Sequence, residues 1–255
     1  MSARIRTAER TADILLCFLE LGAELRVTDI VARVKLDKGT TSRLLSTLAA
    51  RGLVVKDALT RRYRLGPAIF ALGNAASSQN NLAHLAMPAL NYLRDASGES
   101  AGIDVLVGEA RVCLAQAESR HDLRRVIEVG RPLPCYAGAS GKVLLAHLTD
   151  AAADDLLRRI ELTRLTPNTI TDRATLMREL KKVRRNGFAI GRSERIPGGA
   201  GVAVPVHGSR GEVIAALAIS MPSSRYEPRR MPEYLRWLAK ASRQVSTALG
   251  LGKPS

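Results

Sequence analysis

The sequence predicts an α+β protein of two domains, and three observations predict it. Within residues 1–66, three short helical periods are followed by two extended runs, the second rich in arginine, joined by a tight connection. The longer remainder mixes extended runs and helical periods without repeating β-α units, the order of an antiparallel sheet with helices rather than of a parallel one. Between them PAIFALGNAASS opens with a proline, tolerated in a first helical turn, and fades into polar residues. The expected boundaries are a first domain at 1–66, a linker helix at 67–80 and a second domain at 81–250.

The first helix is ERTADILLCFLELG, with Leu15, Phe18 and Leu19 at helical spacing and Gly22 as its stop. Thr28 is placed to cap the second, TDIVARV, whose Ile30, Val31 and Val34 face inward. After KLDKG the period resumes in TTSRLLSTLAARG, with Thr41, Leu44, Leu45 and Leu48 on one side and Gly52 as terminator. The outward face of this third helix carries Thr40, Arg43 and Thr47, with Lys38 at its entrance. Such groups suit a DNA groove: arginine can donate a bidentate pair to guanine, hydroxyls can serve bases or phosphates, and a helix N-terminus attracts a phosphate. GLVVKDALTRRYRLG then reads as a hairpin in which Arg61, Arg62 and Arg64 alternate around Tyr63, so that a tip arginine reaches a phosphate backbone or a minor groove. Three helices followed by a basic hairpin are the layout of a winged helix-turn-helix.

In the second domain, LAHLAMPALNYLRDASG reads as an amphipathic helix that Pro88 can bend. AGIDVLV and RVCLAQA form an antiparallel hairpin across a short turn, and LRRVIEV is expected as a third strand. Helices are expected from about Gly141 to Leu148 and from Asp172 to Asn186, then strands at FAIG, VAVPV and VIAALAIS, and a last helix from Pro228 to Leu249. In RPLPCYAGASGKVLLAH a Pro-rich approach turns into a helix whose first amides lie around Ala139 to Lys142, a terminus able to hold carboxylate or phosphate. It is not a nucleotide-binding P-loop, because Tyr136 stands where the leading glycine is needed and Val143 where a hydroxyl is needed. In GRSERIPGGAGVAVPV, Gly198, Gly199 and Gly201 permit close approach to a ligand beside Glu194 and Arg195, although a surface turn explains this segment equally well.

Composition narrows the class. The chain has 255 residues, 46% hydrophobic and 25% charged, which points to ordinary globular structure rather than disorder. Its 39 basic against 24 acidic residues give a net charge of +15, favouring acidic partners. That charge does not locate them: 13 basic and 7 acidic residues fall within residues 1–78, and 26 and 17 beyond. No run approaches the roughly 20 apolar residues of a membrane helix, and the charged N-terminus is unlike a leader, so a cytoplasmic location is expected. Cys17, Cys113 and Cys135 are far apart, and His84, His121, His147 and His207 show no metal-ligand spacing. Without a nucleophile elbow or a dinucleotide fingerprint either, neither an enzyme, a metal nor a cofactor is expected. Aromatics, at 4%, offer no stacking platform for single-stranded nucleic acid.

RTADILLCFLELG, LRVTDIVARVKLDKGTTSRLLSTLAARGLV and RRYRLGPAIFALG resemble the DNA-binding module of the IclR family of bacterial transcriptional regulators. The loop ending in GK, and LTPNTITDRATLMRELKKVRRNGFAI followed by Glu194, Gly198 and VPV, resemble that family's ligand-binding domain. The resemblance implies a recognition helix from Asp37 to Arg51 with Lys38, Thr40, Thr41 and Arg43 at its DNA-facing start, and a GAF-like, six-stranded antiparallel sheet wrapped by helices. Gly39 departs from the usual serine there. It further implies that the amides of Ala139 and Ser140 hold an effector carboxylate, with Leu133 and Leu123 or Val126 as apolar wall.

Where the family commonly has Asp, Cys and Ser, this chain has Gly191, Gly201 and Ala218, leaving Ser220 as the matching hydroxyl. The losses are expected to enlarge the cavity and to favour an effector larger and more apolar than glyoxylate. The expected partners are double-stranded operator DNA, a small organic acid, and the chain itself as a dimer or dimer of dimers, with no membrane. The alternative is a basic nucleic-acid-binding protein without a small-molecule ligand.

Overall fold

The computed structural model describes residues 5–79 and 82–250, and the chain divides into two compact units between residues 81 and 82. Residues 1–4 of the expected first domain, residue 80 at the end of the expected linker and residue 81 at the start of the expected second domain lie outside the described residues.

In the first unit, helices α1 (Arg6–Glu20), α2 (Val27–Val34) and α3 (Lys38–Ala50) precede strands β1 (Val54–Lys56) and β2 (Tyr63–Leu65) and helix α4 (Pro67–Gln79). The core gathers Ile14, Cys17, Phe18, Leu25, Ile30, Leu45, Leu48, Val54 and Tyr63. The face of α1 differs from expectation: Ile14 and Cys17 are buried beside Phe18, whereas Leu19 is 40% exposed. Helix α2 starts one residue before Thr28, and the Arg26 amide donates to the Asp29 carboxylate at 2.8 Å, so the first turn is closed from inside rather than by Thr28. Asp37 caps α3 by accepting the Thr40 amide at 2.8 Å. The two strands pair antiparallel, Val55 opposite Arg64, and Leu25 bridges Tyr63, tying the hairpin to the segment ahead of α2. Gly66 has a steric reason: a Cβ there would stand 2.1 Å from the Gly52 carbonyl oxygen, so only glycine lets the hairpin exit pass the end of α3.

In the second unit, α5 (Leu82–Ser97) is followed by β3 (Ser100–Val107), β4 (Ala110–Ala117) and the short β5 (Pro132–Pro134). Helices α6 (Ala139–Ala146), α7 (Asp150–Arg159) and α8 (Arg173–Asn186) come next. Strands β6 (Ala189–Arg192), β7 (Gly199–His207) and β8 (Val213–Pro222), a 3-10 turn at Pro228–Arg230 and α9 (Met231–Ala248) complete it. The six strands form one antiparallel sheet in the order β5-β4-β3-β8-β7-β6.

Strand alternation divides the interior in two. Val202, Val204 and Val206 of β7, with Leu217, Ile219 and Met221 of β8, share a core with α5 and α9. Ala203, Ala216 and Ala218 point the other way and pack with α6, α7 and α8. The second face is paved with small side chains, so α6 approaches the sheet closely. One expected strand is absent and one helix was missed. LRRVIEV is not a strand; the Gln116 side chain instead donates to the Arg125 carbonyl at 3.1 Å and accepts the Ile127 amide at 2.9 Å, holding that segment as a side chain can in place of a neighbouring strand. Helix α7, capped by Thr149, was not anticipated, because its polar, alanine-rich run buries only Ala153, Leu156 and Leu157.

Candidate functional site

The site in the second unit is a cavity of about 60 Å³ at the start of α6. Gly138, Ala139 and Ser140 form its floor, Gly191, Gly201, Ala218 and Ser220 the sheet side, and Arg111, Arg125, Ile127, Glu194 and Arg195 the rest of the principal lining. Gly138 sits at the cap position with φ of +91°, a conformation that side chains disfavour. The amides of Ala139, Ser140 and Gly141 follow it in the first turn, where no intrahelical acceptor exists. Gly141 allows the approach of the preceding loop, since a Cβ there would lie 2.1 Å from the Cys135 carbonyl oxygen.

A buried ion pair fixes this helix start. Lys142 is 2% exposed, and its Nζ donates to Glu194 Oε1 at 2.6 Å and to the Ile190 carbonyl at 2.7 Å, with Glu179 at 3.5 Å. The other oxygen of Glu194 accepts the Gly138 amide at 2.8 Å. The Glu194 backbone is held in turn, its carbonyl accepting the hydroxyl of buried Thr169 at 2.7 Å, while Thr166 donates to the Ser193 carbonyl. The LTPNT run therefore serves to clamp the residue that caps α6.

Three arginines share the lining. Arg111 on β4 is 4% exposed; it faces Asp104 at 3.5 Å, and neither its Nε nor Asp104 Oδ1 has a hydrogen-bond partner among the described residues. Arg125 comes from the segment held by Gln116, and its Nε passes 3.6 Å from where a Gly199 Cβ would stand. Arg195 follows the capping Glu194. Burial, and then the charges of Arg111 and Arg125, push its pKa down to about 10, which leaves it charged at neutral pH.

In the first unit, Lys38, Arg43 and Thr47 are exposed on α3 and Thr40 is half-buried. The Arg43 guanidinium reaches the Thr40 hydroxyl at 3.4 Å, and Thr47 donates back to the Arg43 carbonyl at 3.0 Å. Thr41 corrects the expectation that it faces DNA: it is fully buried, its hydroxyl donating to the Asp37 carbonyl at 2.9 Å, because its position falls on the Leu45 and Leu48 side of the helix. At the hairpin tip, Asp57 accepts the amides of Leu59 and Thr60, and Arg61 takes a left-handed φ of +59°. Arg62 is half-buried, with its guanidinium 3.4 Å from the Glu24 carbonyl.

Sequence comparison decides the family. The model of the IclR helix-turn-helix domain matches residues 7–58, and that of the bacterial transcriptional regulator IclR C-terminal domain matches residues 74–247. The chain belongs to the IclR family of bacterial transcriptional regulators. It is 33% identical over 245 residues to the HTH-type transcriptional regulator BhcR of Paracoccus denitrificans, covering 96% of this chain and 88% of that one. It is 32% identical over 246 residues to the regulator XynR of Escherichia coli, with 96% and 98% covered. An IclR transcriptional regulator from Alicyclobacillus acidocaldarius superposes with a TM-score of 0.83 at 27% identity, covering 97% of this chain and all of that one. An IclR homolog from Microbacterium hydrocarbonoxydans, solved in complex with 4-hydroxybenzoate, superposes with a TM-score of 0.78 at 25% identity, covering 95% and 98%.

Among the IclR-family positions singled out from sequence, Ala139, Ser140, Gly191, Gly201, Ala218 and Ser220 meet around the cavity. Leu123, Val126 and Leu133 do not. Leu123 is 66% and Val126 47% exposed, since the segment is turned by its Gln116 contacts, and Leu133 packs in a small core with Cys113 and Ile127. The glycines also act differently from expectation. A Cβ at Gly191 would lie 2.7 Å from the Ala139 nitrogen, and one at Gly201 would lie 3.1 Å from the Ile219 carbonyl oxygen. Backbone has moved into the space a side chain would need, so Gly191 brings the helix start in rather than enlarging the cavity. Arg111 and Arg125 were missed; the available signal was an arginine two residues before Cys113 in an alternating strand, a charge at an inward register position.

Proposed function

We propose that this regulator binds operator DNA through α3 and the β1–β2 hairpin, and that a small organic acid in the α6 cavity sets its affinity for that DNA. The acting species is a homo-oligomer, a dimer or dimer of dimers, which presents paired recognition helices to half-sites related by two-fold symmetry. The observation that carries the effector reading is the cavity itself: free first-turn amides on one side and a buried, incompletely paired Arg111 on the other. The 4-hydroxybenzoate bound by the Microbacterium relative supports an organic acid as the class of ligand.

The cavity lining supports a different size of acid from the one expected. A cavity of about 60 Å³ with three arginines in its lining favours a compact, charged ligand. The reading is therefore a short polar acid rather than a large apolar one. Ligand binding must favour one arrangement of the paired DNA-binding units, since equal affinity for both would shift nothing.

Fluorescence anisotropy with duplex DNA from the region upstream of its own gene tests the whole reading. The full chain should prefer that duplex to random duplex, and one of a panel of short carboxylic acids should change its affinity. Equal binding to random duplex and single strands would remove the regulator reading; specific binding insensitive to every acid would remove the effector.

A further inference from the structure

The cavity holds more positive charge than one carboxylate can match. Glu194, the acid in its lining, is already engaged by Lys142 and by the Gly138 amide. Asp104 faces Arg111 at 3.5 Å, beyond good hydrogen-bond geometry, and leaves the buried Arg111 Nε without a partner. Arg125 and Arg195 make no ion pair with an acid among the described residues, and both are half-buried in the cavity lining. Arg111 has only Asp104 to balance it, and the half-buried Arg125 and Arg195 have no paired acid among the described residues, so an anion entering the cavity meets positive charge that the protein leaves largely unmatched. The first turn of α6 adds N–H groups to the same lining.

We propose that the effector carries two anionic groups, a short dicarboxylate with one end on the α6 amides beside Ser140 and Ser220 and the other on Arg111, Arg125 and Arg195. This rests on the reading of the cavity as an effector site. A single chain of few carbons joins the two ends, because the cavity is about 60 Å³. The two ends recognise different things: amides suit one carboxylate through directed N–H groups, and guanidinium forks suit the other through paired, charge-assisted hydrogen bonds.

Isothermal titration of the full chain with malonate and succinate, each against its own monoamide, tests the second charge at constant size. The diacid should bind at least about tenfold more tightly than its monoamide, the lower range for a charge-assisted hydrogen bond. Arg125→Gln, half-buried and without an ion pair, and Arg195→Gln should each bring diacid and monoamide to near parity while leaving the thermal melting of the unliganded chain nearly unchanged. Equal affinity for diacid and monoamide, or tighter binding of glyoxylate or pyruvate than of either diacid, overturns the dianion while leaving a carboxylate effector in place. Binding of no acid of any kind overturns both.

Discussion

Lys142 Nζ donates to Glu194 Oε1 at 2.6 Å while Glu194 Oε2 accepts the Gly138 amide at 2.8 Å, so a lysine inside α6 is joined through one carboxylate to the cap of its own helix. Because Lys142 is 2% exposed and the Glu194 side chain 11% exposed, the pair is shielded from screening. Lys142→Met should therefore cost about 3–5 kcal/mol in urea unfolding, the usual cost of leaving one buried partner unpaired. Glu194→Gln should cost a similar amount, since its one carbonyl accepts from only one of the two donors while its NH2 meets the other and Lys142 loses its carboxylate. A loss under about 1 kcal/mol for Lys142→Met would show the pair to be as weak as a surface one.

The clearance at Gly191 couples the sheet to the helix start. Gly191→Ala puts a Cβ 2.7 Å from the Ala139 nitrogen, in contact with backbone that cannot rotate away. It should destabilise by about 1–3 kcal/mol, as overpacking does, and abolish the acid-induced rise in melting temperature. Scanning fluorimetry with and without acid reads both; an intact acid response would place the ligand elsewhere.

Two neighbours on α3 should separate fold from recognition. Thr41→Ala removes a buried hydroxyl hydrogen bond and should lower stability by about 1 kcal/mol, leaving the affinity of folded protein for its operator unchanged. Arg43→Ala should do the opposite, weakening operator binding by about 1–3 kcal/mol if it pairs with a base while denaturation is unaffected. Anisotropy and urea titrations on both variants suffice, and operator affinity unchanged in Arg43→Ala removes it from readout.

At the hairpin tip the test residue carries its own control. Arg61 holds φ at +59°, which costs a residue with a side chain about 1 kcal/mol, so Arg61→Gly should preserve or raise stability. If Arg61 lies against phosphate, that variant binds all duplexes more weakly and its log-log salt slope falls by about 0.9. A sequence-selective loss would instead place it on bases.

Burial pushes His147 below its ordinary value of 6.5, with His207 and Arg184 acting in the same direction against the hydrogen bond to the Val143 carbonyl. The unfolded chain then binds the proton more readily than the folded one. The contribution of His147 is fully present above about 6.5 and is lost as pH falls through the lower folded value. Urea midpoints followed from neutral pH downward should drop more steeply for the natural chain than for His147→Gln; parallel curves would assign the acid sensitivity to other groups.

Local pattern carried much of this molecule. The polar face of α3 was legible because Thr40, Arg43 and Thr47 recur at helical spacing opposite Leu45 and Leu48, and the glycines around α6 because Gly138 and Gly141 interrupt an apolar run. Thr41 was assigned to both faces at once, and burial resolved it. LRRVIEV was expected as a strand because an extended, β-branched segment reads the same whether its partner is a backbone or one glutamine side chain, and Leu123 and Val126, placed in the effector wall by the family resemblance, are exposed on it.

The sequence by itself determined the family, the α+β class with most of its elements, and the residues at the start of α6, which rest on patterns read along the chain. Only the tertiary structure decided the character of the cavity. Arg111, Arg125 and Arg195 lie on a strand, a side-chain-held segment and the loop between two other strands, and no spacing along the chain records that their charges converge. The same holds for Gly191, which reads as a lost side chain in one dimension and as a backbone contact in three.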